Sequence, residues 1–232
     1  MRHFIFVCMV LLFALGVEGQ RPTFVSIKTR LGTIIVQLSD ETPVHRDNFI
    51  KLVKANYFDT TLFHRVVPNF VIQGGDPDSL FITPTDTNVL KQQRLLPEFS
   101  ETLFHKRGAL GAGRDDNPLK ASLFSQFYIV QGRPVTDADM DAVEKRKGGG
   151  YRISDNKRAV YKAVGGLPRL DGDYTIFGEV VQGMGVVDAI AVLAAHKELP
   201  LDTVRLKLTV LKRREAKRLQ RKQQKNSSTS SR

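Results

Sequence analysis

The sequence predicts a mainly β domain with two α-helices packed on it. Two observations lead to this prediction. Short runs of β-forming residues recur, and the first two, Phe24 to Thr29 and Thr33 to Leu38, are separated only by a Gly-containing hairpin signal. Two segments instead have helical periodicity, one soon after the second strand and one shortly before the last. Because 41% of the 232 residues are hydrophobic, one packed core is expected.

The two covering helices are predicted from start signals and apolar stripes. Thr42 is the expected N-cap of the first helix, with Pro43 in its first turn. Its buried stripe is formed by Phe49, Leu52 and Val53. The second helix has the stripe Val186, Val187, Ile190 and Leu193. Thr203 to Leu211 then alternates apolar and polar residues, which predicts the closing strand.

The most specific stretch is Phe63 to Asp76, which reads as two strands joined by the turn signal Pro68-Asn69. The period of two places Arg65 and Val67 on one face of the first strand. It also places Phe70 and Ile72 together, with Gln73 on the opposite face, unless a bulge redirects them.

This stretch resembles the signature of the cyclophilins, the peptidyl-prolyl cis-trans isomerases. The signature reads Phe-His-Arg-x-x-x-x-Phe-x-x-Gln-Gly-Gly-Asp, and every fixed position is matched. Ser125 to Ile129 and Leu170 to Gly178 resemble the second and third motifs of the family. The resemblance implies a closed eight-stranded antiparallel β-barrel capped by two α-helices.

The same resemblance implies a set of site residues. The catalytic residues are expected to be Arg65, Phe70 and Gln73, with Gln73 either orienting Arg65 or holding the substrate carbonyl. The substrate-binding residues are expected to be Gly113, Arg114 (through its backbone), Gln126, Tyr128, Leu170 and Tyr174. Phe70, Tyr128 and Leu170 would form the proline pocket. Arg169 stands where cyclosporin-sensitive members have Trp, so cyclosporin binding is expected to be weak.

The segment 134–167 departs from short-loop members of the family and is interpreted as a helical insertion. Thr136 to Lys147 has a cap residue, acids in its first turns and bases in its last, as the helix dipole favours. Ser154 to Val164 predicts a second short helix that ends at Gly165. This insertion is a candidate for flanking the groove and selecting partners.

The sequence contains no pattern typical of a metal site or a dinucleotide-binding site. The five histidines have no metal-ligand spacing, so no metal site is predicted. Gly183 to Asp188 lacks the third glycine and the βαβ context of a dinucleotide site. The expected enzyme therefore uses no cofactor.

Residues 1–19 are interpreted as a signal peptide, with Arg2, the apolar run Phe4 to Leu15, and small residues at 17 and 19. The alternative is a membrane anchor, but about twenty apolar residues are needed to span a bilayer, and this run is shorter. The only cysteine, Cys8, lies inside the run, so a processed chain would contain no disulfide. We expect an exported bacterial protein, periplasmic or secreted, with its isomerase domain at 20–211.

The tail 212–232 is strongly basic. It contains nine Lys or Arg residues and the single acid Glu215, a net charge of +8 out of +11 for the chain. It is predicted to be helical to about Gln224 and to end in a disordered, Ser-rich segment. The alternatives are a solubilising tail and a segment that binds an anionic surface. It carries no interleaved aromatic residues, so no specific nucleic acid is expected.

The sequence thus predicts a monomeric isomerase that acts on proline-containing peptides and unfolded exported proteins and assists their folding. A first alternative is a non-catalytic chaperone that holds the same peptides. A second is a surface-tethering protein whose main function is the binding of an anionic surface by the basic tail.

Overall fold

A computed structural model describes residues 22–77 and 94–230 of the protein. The predicted signal peptide lies outside these residues. The sequence also favours a helical turn around Asn88 to Arg94, and this segment lies outside the described residues too, except for Arg94, which begins a short strand.

The core of the fold is one eight-stranded sheet in which every neighbouring pair is antiparallel. The spatial order is β12-β1-β2-β9-β6-β8-β4-β3. The strands are β1 (Phe24–Thr29), β2 (Gly32–Leu38), β3 (Thr61–Val67), β4 (Val71–Pro77), β6 (Ala109–Ala112), β8 (Phe127–Val130), β9 (Ile176–Gln182) and β12 (Lys207–Val210). Two small pairs complete the β-structure, β5 (Arg94–Leu95) with β7 (Ser122–Leu123) and β10 (Ala195–His196) with β11 (Leu199–Pro200).

The two edges of the sheet approach each other, but β3 and β12 are not paired as strands in the described residues. The segment just before β12 makes the contact instead. Phe63 N–H donates to the Val204 carbonyl at 2.9 Å, and Leu206 N–H donates to the Thr61 carbonyl at 3.1 Å. The mainly β fold is confirmed, whereas full closure of the barrel stays a prediction.

Helices α1 (Pro43–Lys54) and α4 (Met184–Ala191) bury their apolar faces in the main core, against the strands. Thr42 is the N-cap residue of α1, as predicted, but its side chain makes no capping hydrogen bond. Glu98 caps this end: its carboxylate accepts from the N–H groups of Val44 at 3.0 Å and His45 at 2.9 Å. A carboxylate suits a helix N-terminus because it meets both the unpaired N–H groups and the dipole.

The insertion contains the two predicted helices, α2 (Asp137–Lys147) and α3 (Asp155–Val164). Thr136 and Asp139 form a complete capping box at the start of α2. The two helices share a small core of their own with Phe104, and its fully buried centre is Tyr161.

Helix α5 (Arg213–Ser230) forms most of the tail. It runs past the end predicted near Gln224 and includes residues 226–230, which we expected to be disordered. Neither Gly nor Pro interrupts it, and its Lys, Arg and Gln residues have good helix propensity. In the part of the chain that the structure describes, no helix combines the length and apolarity needed to cross a bilayer.

Candidate active site

The site is built around the β3-β4 strand pair, which places Arg65 directly opposite Gln73. The pairing register shifts between Phe63 and Arg65, as a bulge produces. The prediction that Phe70 and Ile72 share a face is wrong. Ile72 belongs to the main core, whereas Phe70 precedes β4, follows Asn69 at a φ of 62°, and packs in a separate cluster.

That separate cluster is an apolar cup. It joins the predicted pocket residues Phe70, Tyr128 and Leu170 with Tyr174, which was predicted to bind substrate. The rings of Tyr128 and Tyr174 meet edge to face, with centroids 6.0 Å apart and an interplanar angle of 85°. Tyr128 is only 4% exposed and Leu170 8%, so these two form the floor of the cup.

Arg65 stands at the rim of this cup. Its Cζ lies 5.4 Å from the centroid of the Phe70 ring, and its side chain is about one-third exposed. Arg169 covers the same ring, with its Cζ 4.6 Å from the centroid. Phe70 therefore contacts two guanidinium groups, both within cation-π distance.

Glu198 orients Arg65, a contact that no motif in the sequence indicates. Its Oε2 accepts a hydrogen bond from Arg65 Nε at 2.5 Å, and its backbone carbonyl accepts from Val66 N–H at 2.7 Å. Glu198 lies in the turn between β10 and β11, where Lys197 and Glu198 both have left-handed φ values. Because the bond uses Nε, the Arg65 Nη groups are left to donate elsewhere.

Gln73 lines the groove beside Arg65, but its side chain forms a hydrogen bond with Gln126 instead of Arg65. Its Nε2 donates to Gln126 Oε1 at 2.9 Å. Of the two roles predicted for Gln73, orienting Arg65 therefore belongs to Glu198 in this structure. Gly113 N–H donates to the Gln126 carbonyl at 2.8 Å, and a Cβ on Gly113 would lie 2.8 Å from Gln126 Cβ. Only glycine allows this close approach.

The Arg114 side chain extends the wall at Tyr174. Its Cζ lies 4.6 Å from the centroid of that ring, and its Nε donates to the Asp173 carbonyl at 2.8 Å. This side chain therefore supports the rim of the cup. The pairing of the Arg114 backbone with substrate stays a prediction.

A buried hydrogen-bond chain leads from the floor of the cup to the insertion. Tyr128 Oη lies 2.8 Å from His105 Nε2, His105 Nδ1 lies 2.7 Å from Asp171 Oδ1, and Tyr161 Oη donates to Asp171 Oδ2 at 2.6 Å. The chain is consistent with a His105 tautomer that donates from Nδ1 to Asp171 and accepts from Tyr128 at Nε2.

The buried hydrogen bonds explain why a Tyr hydroxyl is tolerated at the floor of an apolar cup. Burial, with the nearby Tyr174 and Asp171, raises the pKa of Tyr128 well above its usual value, so the phenol stays neutral. The hydroxyl is satisfied by its hydrogen bond to His105. The aromatic face of Tyr128 is therefore left for packing against a ligand. No role was predicted for His105 from the sequence, because the histidines lack metal-ligand spacing. Its contacts become visible only in the folded structure.

All nine predicted site residues gather in this region: the cup, the Arg65 rim and the Gln73-Gln126 edge. Among residues 22–77 and 94–230, no group of three or more His, Cys, Asp or Glu side chains is placed to hold a metal ion. The arrangement offers a guanidinium beside an apolar cup, with polar groups along one edge. It can seat a small apolar ring and donate hydrogen bonds to the atoms next to it.

Comparisons with known proteins agree with this geometry. The family model described as cyclophilin type peptidyl-prolyl cis-trans isomerase/CLD matches residues 24–210. A peptidyl-prolyl cis-trans isomerase of Acinetobacter baylyi is 32% identical over 193 residues, which cover 79% of this chain and 82% of that protein. The peptidyl-prolyl cis-trans isomerase-like 3 protein of Dictyostelium discoideum is 30% identical over 189 residues, covering 79% and 91%.

Solved structures share the fold. A crystal structure of a cyclophilin type isomerase from Cryptosporidium parvum has a TM-score of 0.58 at 22% identity, covering 82% of this chain and 98% of that one. A second structure of that protein, obtained in the presence of the dipeptide Ala-Pro, has a TM-score of 0.57 at 23% identity. The chain belongs to the cyclophilin-type peptidyl-prolyl cis-trans isomerases and is an enzyme of that class.

Proposed function

We propose that this chain accelerates cis-trans rotation about X-Pro bonds in exported proteins and so assists their folding. The observation that carries the proposal is the position of Arg65, whose Cζ lies 5.4 Å from the Phe70 centroid at the rim of the cup. The family binds proline-containing peptides, and the related parasite protein was crystallised in the presence of Ala-Pro.

The reaction requires only that one rotation becomes easier. An X-Pro amide interconverts over tens to hundreds of seconds because rotation breaks amide resonance, against a barrier of about 20 kcal/mol. The cup would hold the proline ring against Phe70, Tyr128 and Leu170. Arg65 would donate to the prolyl nitrogen as it becomes pyramidal and gains a lone pair. Guanidinium suits this task because it stays charged and carries its donors in a rigid fork.

Two polar groups would fix the rest of the peptide. The Gln73-Gln126 pair lies along the groove and can exchange its mutual bond for one to a substrate carbonyl. A rate gain of about 10⁵ requires roughly 7 kcal/mol, within reach of positioning and preorganised donors together. No covalent intermediate is needed.

Substituting Arg65 tests the proposal directly. Arg65→Ala is expected to lower kcat/KM by about 10² or more, by analogy with removing one preorganised donor. A proline-peptide isomerisation assay measures the rate, and circular dichroism shows whether the fold is retained. Arg30→Ala, which removes an exposed guanidinium with its own acid partner, Asp202, is the matched control. Unchanged activity in Arg65→Ala would reject the assigned role.

A non-catalytic chaperone is the alternative, since one groove can serve both functions. The two differ in turnover: a chaperone holds an X-Pro segment and suppresses aggregation without speeding interconversion. The same assay on the unmodified protein separates them. We favour the enzyme because Arg65 is placed at the cup and is held there by Glu198.

The export part of the proposal rests on the N-terminal sequence alone. Arg2, the apolar run Phe4 to Leu15 and small residues at 17 and 19 form the pattern of a cleaved signal peptide. We propose a monomer in the bacterial periplasm or outside the cell, with unfolded exported proteins as clients. Fractionation of the producing cell, with N-terminal sequencing of the mature protein, tests this; a retained residue 1 would contradict it.

The basic tail is proposed to bind anionic surfaces. Helix α5 presents a stripe of basic side chains along one groove, formed by Arg214, Lys217, Arg218, Arg221, Lys222 and Lys225. Since the rest of the chain is close to neutral, this stripe carries most of the net charge.

A further inference from the structure

The insertion builds a second cleft beside the proline cup. It lies between α2 and the segment 166–169 and has a volume of about 210 Å³. Its floor is apolar and buried, made by Val135, Val143 and Leu167. The volume falls below the roughly 300 to 1,000 Å³ typical of pockets for whole ligands, so it is better matched to one side chain.

The rim of this insertion cleft is cationic. Arg133, Arg146 and Arg169 line it, together with one acid, Asp139. Asp139 is engaged by Arg133 at 2.6 Å and by the Thr136 capping box. Among the described residues, neither Arg146 nor Arg169 has a carboxylate partner. The cleft therefore holds two guanidinium groups whose charge is not locally balanced.

The cleft adjoins the cup through two residues. Arg169 lines the cleft and also covers the Phe70 ring at 4.6 Å. Leu167 lines the cleft floor and belongs to the same apolar cluster as Tyr128 and Leu170. A peptide whose proline sits in the cup would therefore place a neighbouring side chain within reach of the cleft.

We propose that the insertion cleft is an accessory subsite that binds an Asp or Glu side chain of the substrate peptide, close to its proline. The carboxylate would be held by Arg146 and Arg169, and its methylene groups would pack on the apolar floor. Arginine is suited to this because its fork matches a carboxylate in two parallel hydrogen bonds. The proposal rests on the proposed isomerase function and assigns it a substrate class, peptides with an acidic residue near proline.

The test compares peptides that differ only in charge. The peptides have blocked termini and one proline, and each carries either Glu or its neutral isostere Gln at a single position within two residues of that proline. Exchange NMR measures their isomerisation without an auxiliary protease. The unmodified protein is expected to give a kcat/KM about fivefold higher for Glu than for Gln at one of these positions, as one partly exposed ion pair would. The Glu-to-Gln ratio should fall when salt is raised.

Two variants in the last turn of α2 separate the cleft from a general charge effect. Arg146→Gln is expected to bring the Glu-to-Gln ratio close to one, and Arg146→Glu to favour a Lys peptide over the Glu peptide. Lys145→Gln removes the same charge one residue away, outside the cleft, and should keep the ratio of the unmodified protein. Equal ratios in the two Gln variants, or no preference at any peptide position in the unmodified protein, would overturn the subsite. Absence of turnover of the Gln peptides would instead reject the isomerase function itself.

Discussion

Arg65 and Glu198 form a pair in which one side chain fixes the direction of the other. Only Nε of Arg65 is used in the 2.5 Å bond to Glu198 Oε2, which leaves the Nη groups as donors beside the cup. An arginine without this partner would sample several rotamers and would lose part of its preorganisation on each turnover. Glu198 is thus interpreted as a positioning residue.

Removing the Glu198 carboxylate is expected to lower kcat more than it changes KM. We expect Glu198→Ala to reduce kcat about tenfold, because Arg65 remains but is no longer held in the productive direction. Glu198→Gln keeps an oxygen that can accept from Nε and should restore most of the rate. Steady-state isomerisation kinetics separate kcat from KM.

Asp202 provides the matched control for Glu198, because it also pairs with an arginine at the surface, Arg30, at 2.9 Å. Asp202→Ala should leave kcat unchanged. An increase in kcat for Glu198→Ala would show instead that the carboxylate competes with the substrate for Arg65.

The sequence predicted the side chains of the cup and rim but not the partners that hold them. Arg65, Phe70 and Tyr128 belong to motifs with fixed spacing, so they were identified together. Glu198 is 133 positions from Arg65, and nothing in its local sequence marks it. The His105-Asp171 contact spans 66 positions. Contacts of this kind arise from the three-dimensional fold, which a single sequence without an alignment does not reveal.

Helix α3 is tied to the cup through one hydroxyl. Tyr161 is fully buried and donates to Asp171 Oδ2, while Asp171 Oδ1 lies against His105 in the same buried hydrogen-bond chain. Tyr161→Phe removes this donor and leaves a buried carboxylate oxygen one hydrogen bond short. We expect the free energy of unfolding to fall by about 1 to 3 kcal/mol.

Urea unfolding monitored by circular dichroism measures this loss, and Tyr151→Phe is its control. Tyr151 packs in the same insertion core, but its hydroxyl makes no hydrogen bond within the described part of the chain. Its removal should change the free energy of unfolding by less than about 0.5 kcal/mol. Equal effects of the two substitutions would mean that the Tyr161-Asp171 bond adds no stability.

Helix α1 begins at a pH-sensitive contact. Burial lowers the pKa of His45, and the hydrogen bond to Glu98 opposes this shift without overcoming it. His45 is therefore neutral in the folded state, with Nδ1 at 2.6 Å from Glu98 Oε2 and Nε2 at 3.1 Å from Ser122 Oγ. The unfolded chain takes up a proton near the ordinary pKa of about 6.5, whereas the folded chain takes it up only at lower pH.

It follows that stability falls as the pH drops below about 6.5 and continues to fall until the lowered pKa is reached. One such group contributes a slope of at most about 1.4 kcal/mol per pH unit. Urea unfolding between pH 7.5 and 5 should show this slope, and His45→Gln should make it shallower. Burial also lowers the pKa of His64, so this residue would still contribute to the pH dependence of stability in the variant. An unchanged slope in His45→Gln would contradict the assignment.

The elements that the sequence predicted well are those with local signals. Both insertion helices begin where they were predicted, and Thr136 caps α2 as expected, because a capping box is defined by four consecutive positions. The carboxylate that accepts from the first N–H groups of α1 was not predicted, since Glu98 lies more than fifty positions away in the sequence. Two-residue strands such as β5 and β10 were not predicted, because two residues carry no periodicity.

Charge is divided unevenly over the whole molecule. The tail 212–232 carries a net charge of +8 out of +11, and α5 orders most of these charges into one stripe. Its contact with the domain includes a hydrogen bond of 3.3 Å between Gln223 and Gln37, neither of which belongs to the cup. The catalytic region and the basic stripe are therefore expected to act independently.

Deleting residues 212–232 is expected to abolish binding to vesicles that contain anionic lipid while leaving kcat/KM for a short peptide unchanged. Each basic residue near such a surface contributes about 1 kcal/mol, so the full stripe supports firm binding at low salt and release at high salt. Vesicle co-sedimentation at two salt concentrations measures it. Truncation of 226–232 alone keeps the stripe and should bind as the full chain does. If the deletion of 212–232 still binds the vesicles, the attraction belongs to the domain, and a surface-anchoring role for the tail is excluded.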